Sequence, residues 1–212
     1  MGVLDTLLNH GGFATYLILG AATALLVIGT DRLLALYFRL SYNATAALTT
    51  IRGYILERKY TEALQVCNAK ANAPDITVVK AGIMAVENGR EAMKSALGGA
   101  ILEVSHRCEK RVGYIALIAN VATLLGLLGT ITGLIKTFAS IANADPAEKA
   151  KLLGVGISEA MYATAAGLVV GIVAMVVHTL CSAKSDSIIG SAQEAGLNLV
   201  TWIEQSERSR QG

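Results

Sequence analysis

The sequence predicts an all-α membrane protein, with three transmembrane helices and long cytoplasmic helical extensions. Three observations carry this expectation. The chain of 212 residues is 53% apolar and only 16% charged, where soluble domains carry roughly 25% charge. Residues 6–30, 112–135 and 160–183 contain no Asp, Glu, Lys or Arg, and each stretch exceeds the ~20 helical residues that cross a hydrocarbon core. The basic residues are segregated, with none in residues 1–30 and twelve between Asp31 and Arg111. A soluble protein of this length has too little remaining chain to wrap three such helices. The net charge of +2, with no basic run interleaved by aromatics, excludes a nucleic-acid surface. Cys67, Cys108 and Cys181 are odd in number and far apart, so neither a disulfide framework nor a metal knuckle is expected.

The first helix is read over residues 6–30. Ala21-Ala22-Thr23-Ala24 loosely suggests a cleavage site, but no basic residue precedes it and the apolar run continues to Ile28. The segment is therefore expected to be a retained membrane helix. The excess of Lys and Arg in residues 31–111 places that connection in the cytoplasm and the N-terminus outside. Three spans then leave the turn Asn143-Ala144-Asp145-Pro146 outside and the C-terminus inside. Tyr37, Phe38 and Tyr114 fall at the inner interface and Phe13 and Tyr16 at the outer one, as an aromatic belt requires.

The cytoplasmic connection is helical in pattern. Residues 58–64 form a short helix closed by Ala73-Pro74, and Pro74-Asp75 starts a new one. Ile76, Val79, Ile83, Val86, Met93, Leu97, Val104 and Cys108 recur mostly at three-, four- and seven-residue steps, a stripe suited to packing on a partner helix. The pattern runs into Val112 with no breaker beyond Gly98-Gly99, which predicts one long helix ending in the second span. His106 beside Cys108 is too thin a signal for a metal, and a solvated helical bundle is expected here. The boundaries read from the sequence are 1–36 (first span), 37–111 (cytoplasmic helices), 112–183 (second and third spans) and 184–212 (cytoplasmic C-terminal helix).

Polar and small residues mark the second and third spans. Thr123, Thr130 and Thr137 are seven apart and share a face, which Ala116 and Asn120 extend, with Gly126 and Gly133 beside it. Gly156, Ala160 and Thr164 are four apart in the third span, and Gly167/Gly171 and Gly129/Gly133 are GxxxG pairs. Such stripes let backbones approach closely. Packing alone accounts for them as well as a polar pathway does, with each Thr hydroxyl bonded to the preceding turn. Glu159 stands at the head of the third span if that helix starts near Leu152. A carboxylate there costs up to a few kcal/mol unless it faces water or a partner. It is either a proton-handling group or an interfacial acid reaching outward. Gly156-Ile157-Ser158-Glu159-Ala160 is only a partial nucleophile elbow, and no metal, phosphate-loop or paired-carboxylate motif is present. No enzyme activity and no cofactor are expected.

Residues 126–135, Gly-Leu-Leu-Gly-Thr-Ile-Thr-Gly-Leu-Ile, resemble the second-helix motif of the ExbB/TolQ/MotA proton-channel family. Residues 156–168, with Glu159-x4-Thr164-x2-Gly167-Leu168, resemble its third-helix motif. Three spans with the N-terminus outside resemble the ExbB/TolQ branch more than the four-span stators. Three positions depart from the family pattern: Val155 and Val173 stand where Pro is common, and Thr132 where an aromatic is. The resemblance implies a homopentameric ring in the bacterial inner membrane, with the N-terminus periplasmic and the C-terminus cytoplasmic. Its pore would be threaded by a dimer of an ExbD/TolR-like one-span protein, and its outer surface would contact membrane lipid. It implies that Thr130 and Thr164 face an acid on that partner, with Glu159 near the outer mouth of the proton path; the polar face read from the spacing extends the expected pore lining to Thr123, Asn120 and Thr137. Gly126, Gly129, Gly133, Gly156, Gly167 and Gly171 are expected to pack the helices. The alternative is a non-conducting structural subunit of a membrane transport complex.

Overall fold

The computed structural model describes residues 12–40, 44–70, 73–142 and 144–208. The start of the first expected span (6–11), Asn143 of the turn expected outside and Arg210 lie outside the described residues. Every regular element among those described is helical: α1 (Gly12–Leu34), α2 (Thr45–Leu56), α3 (Tyr60–Ala69), α4 (Pro74–Ala85), α5 (Arg90–Glu109), α6 (Val112–Ala142) and α7 (Pro146–Arg208). Three helical stretches are long and apolar enough to cross a membrane: Phe13–Phe38, Arg90–Ala142 and Pro146–Arg208.

The chain divides into two compact units, one of residues 1–31 and 111–180, the other of 32–110 and 181–212. In the first, α1 and α7 run parallel and α6 runs antiparallel to both. Ala14 of α1 meets Gly129, and Gly29 meets Val177. The side chains turned outward are large and apolar, among them Leu117, Leu124, Ile131, Val169 and Ile172. A bilayer is the solvent that makes such a surface stable.

The second unit is a conventional helical core. Ile51, Ile55, Ile76, Val78, Val79 and Leu199 are almost wholly buried. The stripe read from the sequence is buried at Ile76, Val79, Ile83, Met93, Leu97, Val104 and Cys108. Its partner within the chain is the later part of α7, whose Ala192, Ala195, Leu199 and Ile203 face inward. Gly82 allows that approach, since Leu199 and Leu97 occupy the space a methyl would need. Gly89, at φ +95°, turns the chain into α5, a backbone conformation open to glycine at no steric cost. Buried Arg32 donates to the Lys110 carbonyl at 2.9 Å and so satisfies a carbonyl just past the end of α5.

Two boundaries differ from the sequence reading. The helix that precedes the second span does not run unbroken into it: it stops at Glu109, with Lys110 at ψ 124° and Arg111 at φ +65°. Gly98 and Gly99 lie inside α5 without bending it out of helical form. The third membrane helix starts at Pro146, not near Leu152. Proline suits a first helical position because its missing N–H is one the helix leaves unbonded anyway. The Asp145 carbonyl accepts from the Glu148 and Lys149 amides.

Candidate functional site: the seam between α6 and α7

The two helices meet along a seam of small residues in inverse order. Ala119 and Thr123 lie against Gly171, Ala122 and Gly126 against Gly167, Gly129 against Ala163, Gly133 against Ala160, and Thr137 against Gly156. All six glycines named above are therefore at the helix contact. The closest approach of backbone to backbone is at Gly167, where an added methyl would lie 2.6 Å from the Ala122 carbonyl oxygen and 2.8 Å from the Gly126 Cα. Helices this close gain van der Waals contact that bulkier side chains would prevent.

At 100° per residue, Thr130 and Thr123 stand about 40° and 60° round α6 from Gly126, and Asn120 about 120°. Thr164 stands about 60° round α7 from Gly167 in the same sense. For antiparallel right-handed helices the same sense means the same flank of the seam. The structure thus gathers Thr123, Thr130, Thr164 and, farther out, exposed Asn120 along one flank. Thr137 is different. It is buried in the seam itself, with its hydroxyl donated to the Gly133 carbonyl at 2.8 Å.

The flank has a definite hydrogen-bond polarity. Thr164 Oγ1 donates across the seam to the Gly126 carbonyl at 2.8 Å. Thr130 Oγ1 donates to Leu127 O at 2.7 Å and Thr123 Oγ1 to Ala119 O at 3.0 Å. A hydroxyl has one hydrogen to give and two lone pairs. With each hydrogen held by a backbone carbonyl, these threonines offer only acceptors to anything beside them. Such a face suits a protonated carboxyl, a hydrated proton or a metal cation, and it opposes a bare carboxylate.

Glu159 is not on that flank. It stands about 80° round α7 from Gly167 in the opposite sense, as Lys136 does from Gly126 on α6. Both line a crevice of about 430 Å³ together with Phe13, Ala14, Thr132, Ser140 and Val155. With α7 starting at Pro146, Glu159 is thirteen residues into the helix, about 20 Å along its axis, rather than at its head. The sequence motif alone does not separate Glu159 from Thr164, because the side α1 covers depends on tertiary packing.

In the other unit, a cleft of about 320 Å³ is lined by Arg52, Asp75, Glu194 and Trp202, which the sequence reading did not single out. Burial, with Glu194 nearby, pushes the Asp75 carboxyl above its usual range. Asp75 in the first turn after Pro74 was the only sequence signal for it. Burial also pushes the Cys67 thiol up to about 11. At neutral pH this implies roughly a hundredfold less thiolate than an ordinary cysteine. Maleimide labelling of Cys67 in the folded protein is therefore expected to be slower than in the unfolded chain by at least that factor, a rate that mass spectrometry reads directly. Among the described residues no three His, Cys, Asp or Glu side chains gather to hold a metal.

Comparison with known proteins places this arrangement. Residues 70–194 match the model of the MotA/TolQ/ExbB proton channel family. The chain is 33% identical over 112 residues to the biopolymer transport protein exbB1 of Vibrio cholerae, covering 52% of this chain and 49% of that protein. It is 31% identical over 100 residues to the Tol-Pal system protein TolQ of Pseudomonas aeruginosa, covering 47% of this chain and 43% of that one. The chain thus aligns with about half the length of these curated relatives. Its fold resembles a chain of the C. jejuni MotAB structure, with a TM-score of 0.64 at 15% identity, covering 93% of this chain and 80% of that one.

Proposed function

Because the chain belongs to the MotA/TolQ/ExbB proton channel family, we propose that it is the channel and stator subunit of an inner-membrane motor driven by proton-motive force. The observation that carries this reading is the acceptor-only threonine flank beside the glycine seam. Copies of the chain form a homopentamer in which these flanks face a common axis. A dimer of an ExbD/TolR-like one-span protein occupies that axis and carries the acid that takes and releases the proton. Thr130 and Thr164 accept a hydrogen bond from that acid when it is protonated and lose it when it ionises, so protonation changes how firmly the partner is held. Thr123 and Asn120 extend the polar flank along α6. Glu159 and Thr137 act from the crevice side, near the outer mouth of the path.

The distribution of Lys and Arg supports a periplasmic N-terminus and a cytoplasmic C-terminus. One charge falling through 100 mV releases ~2.3 kcal/mol, enough to bias a small rotation per proton. The work done is transport, envelope maintenance or motility; the first is supported by the name of the Vibrio cholerae relative, a biopolymer transport protein. Native mass spectrometry of the chain co-expressed with its membrane partner tests the assembly. Five copies with two of a one-span companion are expected; a monomer that captures no one-span protein would overturn the proposal.

A further inference from the structure

The crevice beside Glu159 places two opposite charges at one membrane level. Lys136 immediately follows the uncharged stretch 112–135 and Glu159 immediately precedes 160–183. Since α6 and α7 are antiparallel, both charges stand at the same end of the two uncharged stretches, where the headgroups of a bilayer spanned by those stretches would lie. Both line the crevice, yet among the described ion pairs none joins them. Charged groups at membrane depth are expensive unless they face water or a partner.

The remaining polar groups narrow what that partner is. Thr132 donates to Leu128 O at 2.8 Å and Ser140 to Lys136 O at 2.9 Å. Like the Glu159 carboxylate, these hydroxyls therefore offer lone pairs to the crevice, while Lys136 offers donors and positive charge. Exposed Phe13, Leu128 and Val155 form the apolar part of the wall.

We propose that the crevice is a binding site for a phospholipid with a primary-amine zwitterionic headgroup, phosphatidylethanolamine. Its phosphate meets the Lys136 ammonium. Its own ammonium, with three N–H donors, meets Glu159 and the hydroxyls of Thr132 and Ser140. An acyl chain lies along Phe13, Leu128 and Val155. A choline headgroup has no N–H to donate, and a glycerol headgroup has no cation for Glu159, so the site selects against both. The proposal rests on these spans lying in a bilayer and not on conduction.

The test uses the full chain with its co-expressed partner in nanodiscs of phosphatidylethanolamine, phosphatidylcholine or phosphatidylglycerol, with retained lipid counted by native mass spectrometry after delipidation. Phosphatidylethanolamine is expected to be retained about tenfold over phosphatidylcholine, as one well-placed charge-assisted contact would give. Lys136→Glu should abolish that preference and Lys136→Arg should keep it, with size-exclusion profiles confirming that both assemble. Equal retention of the three lipids, or a preference that survives Lys136→Glu, would overturn the proposal. Should Lys136→Glu fail to assemble, Lys136→Met serves in its place. A protein that keeps its phosphatidylethanolamine but carries no protons upholds this site and refutes the channel, so the two readings fail separately.

Discussion

Gly167→Ala is expected to be the most disruptive single-methyl change in the membrane unit. The added carbon would lie 2.6 Å from the Ala122 carbonyl oxygen and 2.8 Å from the Gly126 Cα. Both obstacles are backbone, so no side-chain rotation relieves the clash and the helices must separate. Overpacking of a tight interior costs about 1–3 kcal/mol even where side chains can shift, and this site belongs at or above the top of that range. Separation would also lengthen the 2.8 Å bond from Thr164 to Gly126. Gly113 and Gly154 are the matched controls, since a methyl on either meets nothing within 4 Å. Alanine there should leave stability unchanged or raise it by roughly 0.5–1 kcal/mol. Thermal melts of the detergent-solubilised assembly, followed by size exclusion, check the contrast. Equal melting of Gly167→Ala and the two controls would mean that the seam is not as close as described.

Thr164→Val is expected to leave the assembly standing and to abolish energy transduction. Valine keeps the shape and removes the hydroxyl. Hydrogen bonds between membrane helices average about 0.6 kcal/mol, and the Gly126 carbonyl keeps its place in the α6 ladder. The structural loss is thus small against the van der Waals contact of the whole seam. The functional loss is large, because the lone pairs Thr164 presents on the flank disappear with the oxygen. Thr164→Ser restores both the donor to Gly126 and the free lone pairs, so it should retain most of the activity. A merely structural role predicts a different pattern, in which valine and serine both show mild defects that follow thermal stability.

Much of the membrane unit was legible in the sequence because lipid is an unforgiving solvent. A charge left unpaired in hydrocarbon costs several kcal/mol, so the charge-free stretches outline the spans. Packing without a hydrophobic drive between helices selects small residues, so the glycines mark the seam. Helix ends were less legible. Residues 147–151, Ala-Glu-Lys-Ala-Lys, are strong helix formers but polar, so apolar periodicity left them out of α7. The Asp145-Pro146 pair is the better start signal, as the structure's first helical position shows. Arg111 has no side-chain feature that announces a positive φ, whereas the adjacent glycines 98 and 99 invited a break that the helix does not make. The flank on which Glu159 stands was the least accessible feature. Spacing puts it about 140° from Thr164 on α7, but only the packing of Ala14 against Gly129 shows that α1 lies on the Glu159 side.

Proton passage along the threonine flank of α6 and α7 is read by voltage-driven proton uptake into proteoliposomes holding this chain with its co-purified one-span partner. Uptake is expected for the native pair. It should fall at least about tenfold, or 1.4 kcal/mol in barrier, in the Thr130→Val, Thr164→Val double variant at equal assembly. Uptake that is undiminished in the double variant would contradict proton passage along that flank.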